Sequence, residues 1–477
     1  MNRLQKFLRL AAPSLLACLS LLPLRAATAA RPNVLFIAID DLRDWTGYLG
    51  HNPQVKTPNL DRLAKMGMAF NRAYPAAPVC NPSRAALMSG LPPFVTGVYE
   101  NNNDWRTALS EDKMLTTAFR HAGYRVTGSG KIYHESYPRP SEWDDYLKNE
   151  GGNPKVPAGH SDGVGGIKFG PLDCRDEDLN DWRITDYGIA ELGRKHDQPF
   201  FLAVGLHKPH MPWNVPQKYY DMFPLETIQL PPYLENDLDD LPPAGVKMAH
   251  EETDHIPMVK SGRWKEAIQG YLAAIAYTDM NVGRLLDALD KSPDKANTII
   301  CLWGDHGWHL GEKHHWRKFA LWEESTRTPF IWVVPGLTTP GSSTEHPVDL
   351  MSIFPTLTGL CGIPKPAHVT GSDITPLLTH PAADWQVPVI TTYRFNNHCV
   401  RVDGWRYIRY ANGDEELYDE TKDPNEWTNL AGKKEYAAKQ AELAAFIPKQ
   451  NHADIGGSPG QGAEDFGESP ARGKRKP

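Results

Sequence analysis

The sequence predicts an α/β fold, with a large mixed, mostly parallel sheet flanked by helices and a smaller antiparallel sheet toward the C-terminus. Three observations predict it. Unbroken apolar runs, the mark of strands buried on both faces, recur along the chain. Stretches with helical spacing of apolar residues lie between them. After about residue 385 the runs shorten and alternate, as strands with one solvated face do.

The first thirty residues stand apart from this pattern. Arg3, Lys6 and Arg9 precede an apolar stretch from Leu10 to Leu24, and Ala27-Thr28-Ala29 is a small-x-small cleavage pattern. A secretory signal peptide is expected, cleaved near Ala29-Ala30, which places the mature protein in the periplasm or outside the cell. The stretch is short for a membrane anchor and is interrupted by Pro13 and Pro23. Lipid attachment at Cys18 is disfavoured because the apolar run continues past it. Without this segment, which holds Arg3, Lys6, Arg9 and Arg25 and no acid, the formal charge moves from −7 to −11. Such an acidic chain is a poor coat for nucleic acid or long polyanions, so an anionic substrate must be met by local pocket charge.

Residues 33–39 (NVLFIAI) open the α/β body as a buried strand. Thr57-Pro58 starts a helix running through Met66, with Thr57 as N-cap and Pro58 in the first turn. Residues 200–204 form another buried strand. Ile268, Leu272, Ile275, Val282, Leu286 and Leu289 form the stripe of a helix over residues 265–290. Residues 297–303 and 329–334 are further strands. Together they define a catalytic domain over residues 31–384. A smaller α+β unit over 385–450 holds short strands near 399–402, 405–410 and 416–418, a turn at Asn412-Gly413 and a helix over 434–446. Residues 451–477, rich in Gly, Ser, Pro and charge, are expected to be disordered. Five cysteines remain after the leader (80, 174, 301, 361 and 399), none in a CxxC pair, which excludes a zinc knuckle or thioredoxin-like motif. Cys301 lies in an apolar run and reads as a small core residue.

Two residue pairs carry chemistry because each ends a buried strand. Asp40-Asp41 follows one and Asp305-His306 another. In open parallel sheets the carboxyl ends of the strands line the functional crevice. Three carboxylates and an imidazole meeting there call for a cation. Oxygen-rich ligation favours Ca²⁺ or Mg²⁺, while the histidine leaves Zn²⁺ or Mn²⁺ open. Cys80-Asn81-Pro82-Ser83-Arg84 lies between proline and Gly90 signals that frame a short helix, which places Cys80 just before its N-terminus. That position attracts anions and is expected to depress a thiol pKa. Arg84, one turn on, can neutralise the carboxylates or a bound anion.

The C-x-P-S-R segment is similar to the signature of the sulfatases. Residues 31–41 (RPNVLFIAIDD), 130–134 (GKIYH), 201–210 (FLAVGLHKPH) and 303–313 (WGDHGWHLGEK) extend the likeness in order. The chain thus resembles the type I formylglycine-dependent sulfatase family, and within it the iduronate-2-sulfatases, over nearly all of residues 31–360. The resemblance implies an alkaline-phosphatase-like fold and a sulfuric ester hydrolase acting on sulfated saccharides. It implies one Ca²⁺ held by Asp40, Asp41, Asp305, His306 and Cys80, with Cys80 converted to formylglycine (3-oxoalanine). Arg84 and Lys131 would then hold the formylglycine hydrate and His134 manage its proton. His207 and Lys318 would grip the sulfate and protonate the leaving oxygen. The implied partners are a sulfated saccharide and, during biogenesis, a formylglycine-generating or anaerobic sulfatase-maturating enzyme. No nucleic acid and no stable membrane span is expected.

Two other readings compete. One is a phosphate or phosphonate monoester hydrolase of the same superfamily. The other is a non-catalytic calcium- and sugar-binding relative in which Cys80 stays a thiol. Around the centre, Lys208 and His210 are expected to shape the pocket wall. His309, His314 and His315 are candidate substrate contacts, and Glu312 a candidate to orient a ligand. The segments 135–180 and 231–262, the latter with the acidic run from Glu235 to Asp240, are expected to rim the pocket.

Overall fold

The computed structural model describes residues 31–134, 137–147 and 163–457. The expected leader and residues 458–477 lie outside these. Eight strands form the central sheet: β1 (Asn33–Ile39), β2 (Met68–Phe70), β3 (Arg125–Gly130), β4 (Asp145–Leu147), β5 (Phe200–Leu206), β6 (Thr298–Gly304), β7 (Phe330–Val333) and β8 (Ser342–Thr344). They lie in the order β8-β2-β7-β6-β1-β5-β3-β4. Only β7 runs against its neighbours β6 and β2; the other pairings are parallel.

Every residue of β1, β5 and β6 is buried, which is why these segments read as unbroken apolar runs. Alternate side chains point to opposite faces. Leu35, Ile37 and Ile39 join the core beneath the helices Asn180–Leu192 and Trp264–Lys291. Val34, Phe36 and Ala38 join the core beneath Cys80–Ser89, Leu115–His121 and Ile353–Leu360. Each fully buried large apolar side chain contributes roughly 1.5–3 kcal/mol. All six residues of the predicted stripe are buried on Trp264–Lys291.

The helix Pro58–Met66 has its predicted bounds but not its predicted cap. Thr57 makes no capping hydrogen bond. Its hydroxyl instead accepts from Gly47 N at 2.8 Å. The free amides of Asn59 and Leu60 go to Asp279 Oδ1, at 3.1 and 2.8 Å, from the helix packed beside it. A carboxylate at a helix N-terminus satisfies both the donors and the dipole. Strand β3 escapes an apolar-run search because its sequence is RVTGSG, yet Val126, Thr127 and Ser129 are buried.

The C-terminal sheet is an antiparallel meander of Val389–Thr392, His398–Val402, Trp405–Arg409 and Glu415–Asp419. Gly413 has φ +91° in the turn joining the last two strands. One face packs Val400, Tyr407 and Leu417 on Leu443 of the helix Ala437–Ala444. The other packs Cys399, Ile408 and Tyr418 on Phe319, Leu321 and Trp322 of the main body. Residues 451–457 do not behave as the disordered tail expected from composition. His452 N donates to Phe94 O at 2.8 Å, and Ile455 N to Gly97 O at 3.1 Å. Among the described residues, the five cysteines are unpaired and no helix is long and apolar enough to cross a membrane.

Candidate active site

Strands β6, β1, β5 and β3 are parallel neighbours, so their carboxyl ends share one edge of the sheet. The residues that follow them are Asp305-His306, Asp40-Asp41, His207 and Lys131. The ladder runs one residue past the strands, with Asp40 N donating to Leu206 O at 3.1 Å and Asp305 N to Ile39 O at 3.2 Å. Asp41 then adopts a left-handed φ of +59°. Its amide donates to Asp305 Oδ1 at 3.0 Å, and Tyr271 Oη donates to its carbonyl at 2.7 Å. Sequence reasoning had no means to find Tyr271, which reaches the site from the long helix.

Cys80 is the first residue of the helix Cys80–Ser89 rather than the residue before it, and Gly90 closes the helix at φ +70°. Its Sγ lies 2.8 Å from Lys318 Nζ, 3.3 Å from His306 Nε2 and 3.8 Å from Asp41 Oδ1. The expectation of a depressed thiol pKa is overturned. Burial pushes the Cys80 thiol well up, against the opposing charges of Lys131 and Lys318. A helix N-terminus lowers a thiol pKa only where water or a net positive field also supports the anion. Here burial favours the protonated sulfur.

The carboxylates are braced by the chain's own cations. Arg84 donates from Nε to Asp305 Oδ2 at 2.8 Å and pairs through Nη2 with Asp40 Oδ1 at 3.2 Å. It also donates to the carbonyl of Lys131. Lys131 Nζ donates to Asp40 Oδ2 at 2.6 Å, and Lys318 Nζ to Asp41 Oδ1 at 3.0 Å. Burial alone would raise the pKa of Asp40, but Lys131, His210 and Arg84 hold it well below the usual carboxylate range. Asp41 is likewise held down, by His210 and Lys318. Repulsion among three carboxylates therefore does not by itself demand a metal, because three basic side chains balance them. Donor chemistry makes the stronger case. Ligand atoms of Asp40, Cys80, Asp305 and His306 lie within 4.8 Å of one another, as do those of Asp40, Asp41, Cys80 and His210. Asp41 Oδ2 is buried with no hydrogen-bond partner. A buried carboxylate oxygen left without a donor fits a cation ligand. The residues present thus suit a hard divalent ion.

The remaining predicted residues separate into those facing this cluster and those supporting it. His134 is half-buried, its buried Nδ1 has no partner, and desolvation beside Lys131 pulls its pKa down to about 3. His207 Nδ1 lies 3.1 Å from Asp181 Oδ1, and the same carboxylate accepts from the amides of His207 and Lys208. His210, expected only as wall, is the histidine of that run that meets the cluster, with Nε2 3.8 Å from Asp41 Oδ2 and its side chain 38% exposed. Lys208 is buried, donates to Pro212 O at 2.5 Å, and has its pKa lowered by burial to about 8.

His309, His314, His315 and Glu312 all contact the protein's own groups. His309 and His315 are buried and bonded to main-chain oxygens; His315 Nε2 lies 2.7 Å from Lys318 O and so fixes that residue. His314 lies 3.0 Å from Glu251 and stacks on His255 at 4.8 Å. Glu312 pairs with Arg43 at 2.6 Å. Residues 135–136 and 148–162 of the first expected rim segment lie outside the described residues. In the second, Asp237 is buried against Lys313 at 2.9 Å.

A mostly parallel sheet whose strand ends converge on such a cradle, facing one helix N-terminus, defines an alkaline-phosphatase-like fold. Solved structures agree. A phosphonate monoester hydrolase of Agrobacterium radiobacter superposes with a TM-score of 0.74 at 24% identity, covering 87% of this chain and 94% of that one. An enzyme in complex with its substrate D-glucosamine-2-N,6-O-disulfate gives 0.70 at 22% identity, covering 87% and 97%. The sulfatase family model matches residues 32–363, and that of the N-sulphoglucosamine sulphohydrolase C-terminal region matches residues 311–453. A sulfatase of Formosa agariphila is 38% identical over 88% of this chain and 87% of its own length. Human iduronate 2-sulfatase is 32% identical over 70% of each chain. The chain belongs to the sulfatase family.

Proposed function

We propose that this protein is an exported, formylglycine-dependent sulfatase that removes sulfate from the ends of sulfated saccharide chains, an iduronate-like 2-O-sulfate leading among substrates. The carrying observation is the placement of Cys80 Sγ among Lys318, His306 and Asp41 at the mouth of the carboxylate cradle. The names of relatives acting on uronate sulfates support the substrate class.

Asp40, Asp41, Asp305 and His306, with the oxidised Cys80, would hold one divalent ion. Ca²⁺ is the proposed ion because three of the four unmodified donors offer carboxylate oxygen. Such an ion, when bound, draws charge from the sulfuryl oxygens. Formylglycine at position 80 would supply, as its hydrate, one hydroxyl whose oxygen attacks sulfur as the S–O bond to the sugar breaks and the sugar alcohol leaves, and a second whose deprotonation expels sulfate as the aldehyde re-forms. A maturation enzyme must install it.

The chain's own residues do the rest. Arg84 and Lys131 pin Asp40 and Asp305, which fixes the cradle without spending a ligand atom of Asp41. Lys318 points its ammonium at the position-80 side chain and stays protonated, since the neighbouring Asp41 raises its pKa against the effect of burial. It is placed to stabilise charge developing on sulfate oxygens. His134 is held neutral because burial depresses its pKa, and its unpartnered Nδ1 can accept a hydrogen bond from the hydrate beside Lys131. His210, half-open at the mouth, is the histidine that meets an incoming ester.

Peptide mass spectrometry across Cys80, on protein from a host with the maturation enzyme, tests this. A loss of about 18 Da accompanied by sulfate release from an aryl sulfate is expected. An unmodified thiol in fully active protein would sink the mechanism. Faster turnover of the matching aryl phosphate would favour the phosphate-ester reading.

A further inference from the structure

Two routes of contact lead from the reaction centre to one loop of the C-terminal sheet, residues 393–397. The first leaves Cys80 through its neighbour Asn81. The Asn81 amide donates to Asn101 Oδ1 at 3.0 Å, and Asn81 Nδ2 donates to Glu100 O at 2.9 Å. Glu100 Oε1 in turn pairs with Arg394 Nε at 2.8 Å. The second leaves Lys318 through its neighbour Phe319, whose ring centroid lies 6.4 Å from that of Tyr393. The loop is therefore joined to the sequence neighbours of both groups that meet the scissile ester, Asn81 beside Cys80 and Phe319 beside Lys318.

Its tip is fixed in a costly shape. Arg394 and Asn396 have left-handed φ angles of +56° and +63°. For a non-glycine residue such a conformation costs about 1 kcal/mol and is kept where the surroundings impose it. Asn397 imposes it here, donating from Nδ2 to Tyr393 O at 2.9 Å and to Phe395 O at 3.2 Å. The Ala411 amide clamps Asn397 Oδ1 at 3.0 Å. What this rigid turn presents outward is a guanidinium and a phenyl ring side by side, Arg394 46% and Phe395 47% exposed. Glu100 orients the guanidinium through one of its five donors. On a chain of strongly acidic net charge, this guanidinium, already oriented by its pair with Glu100, is a group of the kind that receives an oxyanion.

The geometry points to a subsite for the saccharide around the scissile ester: Arg394 receives an oxyanion on it, the carboxylate of the sugar that carries the ester or a second sulfate on its neighbour, and Phe395 lies against a ring face. This rests on the sulfatase reading and names where its saccharide specificity resides.

Steady-state kinetics of Arg394→Gln on two substrates test it. A small aryl sulfate has no sugar, so its kcat/KM stays within about twofold of wild type. For a 2-O-sulfated uronate disaccharide, loss of a charge-assisted contact raises KM by about tenfold or more with kcat little changed. Arg394→Lys recovers part of the loss, because it keeps the charge without the fork. Carboxyl-reduced disaccharide erases the difference between wild type and variant if the anion is the carboxylate. A difference surviving reduction but lost without a second sulfate assigns it to sulfate. Equal effects on both substrates, or none on either, overturn the subsite alone. So does a wild type active on the aryl ester and inactive on anionic saccharides. A matured wild type inactive on both overturns the sulfatase reading, and the subsite with it.

Discussion

Replacing Lys318 by methionine removes charge from the site while nearly conserving volume. The ammonium sits 3.0 Å from Asp41 Oδ1 and 2.8 Å from Cys80 Sγ, on a side chain that is 5% exposed. Unit charges at that separation attract by about 5 kcal/mol at an effective dielectric constant of about 20. Without the lysine, Asp41 stays desolvated with only the imidazoles of His210 and His306 beside it, and loss of its one ammonium partner is typically worth about 3–5 kcal/mol. A divalent ion in the cradle puts an opposite charge back beside Asp41. At about a thousandfold excess over its Kd, binding to the native state adds about 4 kcal/mol. The variant's urea-unfolding free energy is therefore expected to fall by about 3–5 kcal/mol in chelator and to recover largely in excess Ca²⁺. Turnover of an aryl sulfate is not expected to recover, because the donor facing the sulfuryl oxygens is gone; kcat falls by about 10²–10³. Equal destabilisation with and without the ion would refute the electrostatic link to the cradle. A kcat near wild type would refute the role of Lys318 in the reaction.

The two histidines of the HKPH run should part company: His210→Gln lowers kcat at least about tenfold with little change in Tm, whereas His207→Gln costs about 1 kcal/mol of stability through Asp181 and less rate. The reverse pattern, read from thermal melts and turnover, would return the substrate role to His207. Burial pulls the pKa values of His255, His315 and His398 to about 4. With folded values below the ordinary 6.5, the stability these groups contribute is complete above that pH and is lost as pH falls through about 4. Each accounts for about 2 kcal/mol by about pH 4.5. His398→Gln removes its share, so the variant's unfolding free energy should change less than wild type between those pH values, and parallel curves would contradict this. Gly130→Ala would place a Cβ 2.0 Å from Gly205 O at φ +74°, displacing Lys131. Little soluble protein is expected, and a soluble, fully active variant would show that the strand end is not what aims Lys131.

Much of the centre was legible because it hangs on strands whose burial is written in their composition. Runs such as NVLFIAI and TIICLWG announce buried strands, and the acids after them inherit the shared edge of a parallel sheet. What was not legible depends on rotation and on distant partners. His207 and His210 are equivalent as letters in one short run, and only the structure shows that one is held by Asp181 while the other lies beside Asp41. The Cys80 thiol was misjudged because the motif suggests an exposed helix end, whereas the fold buries the whole helix. The balance of three acids by Arg84, Lys131 and Lys318 needs side chains from three separate elements. Asp279, which caps the helix after Thr57, lies more than two hundred residues away in sequence. Family likeness supplied Lys131, His134 and Lys318, which composition and periodicity would have left among ordinary polar residues.

All ten residues of Cys80–Ser89 are buried, and Cys80 itself is 1% exposed. Another protein cannot reach such a position in the folded chain, since it would need this stretch of chain in hand to act on its cysteine. The order of events in the life of the molecule follows. On the function proposed above, oxidation of Cys80 would have to precede folding, and a copy that folded first would keep its thiol inside. The fraction of active molecules would then be set once, by a race between the modifying enzyme and the closing core, and adding that enzyme to the folded protein afterwards would leave it unchanged.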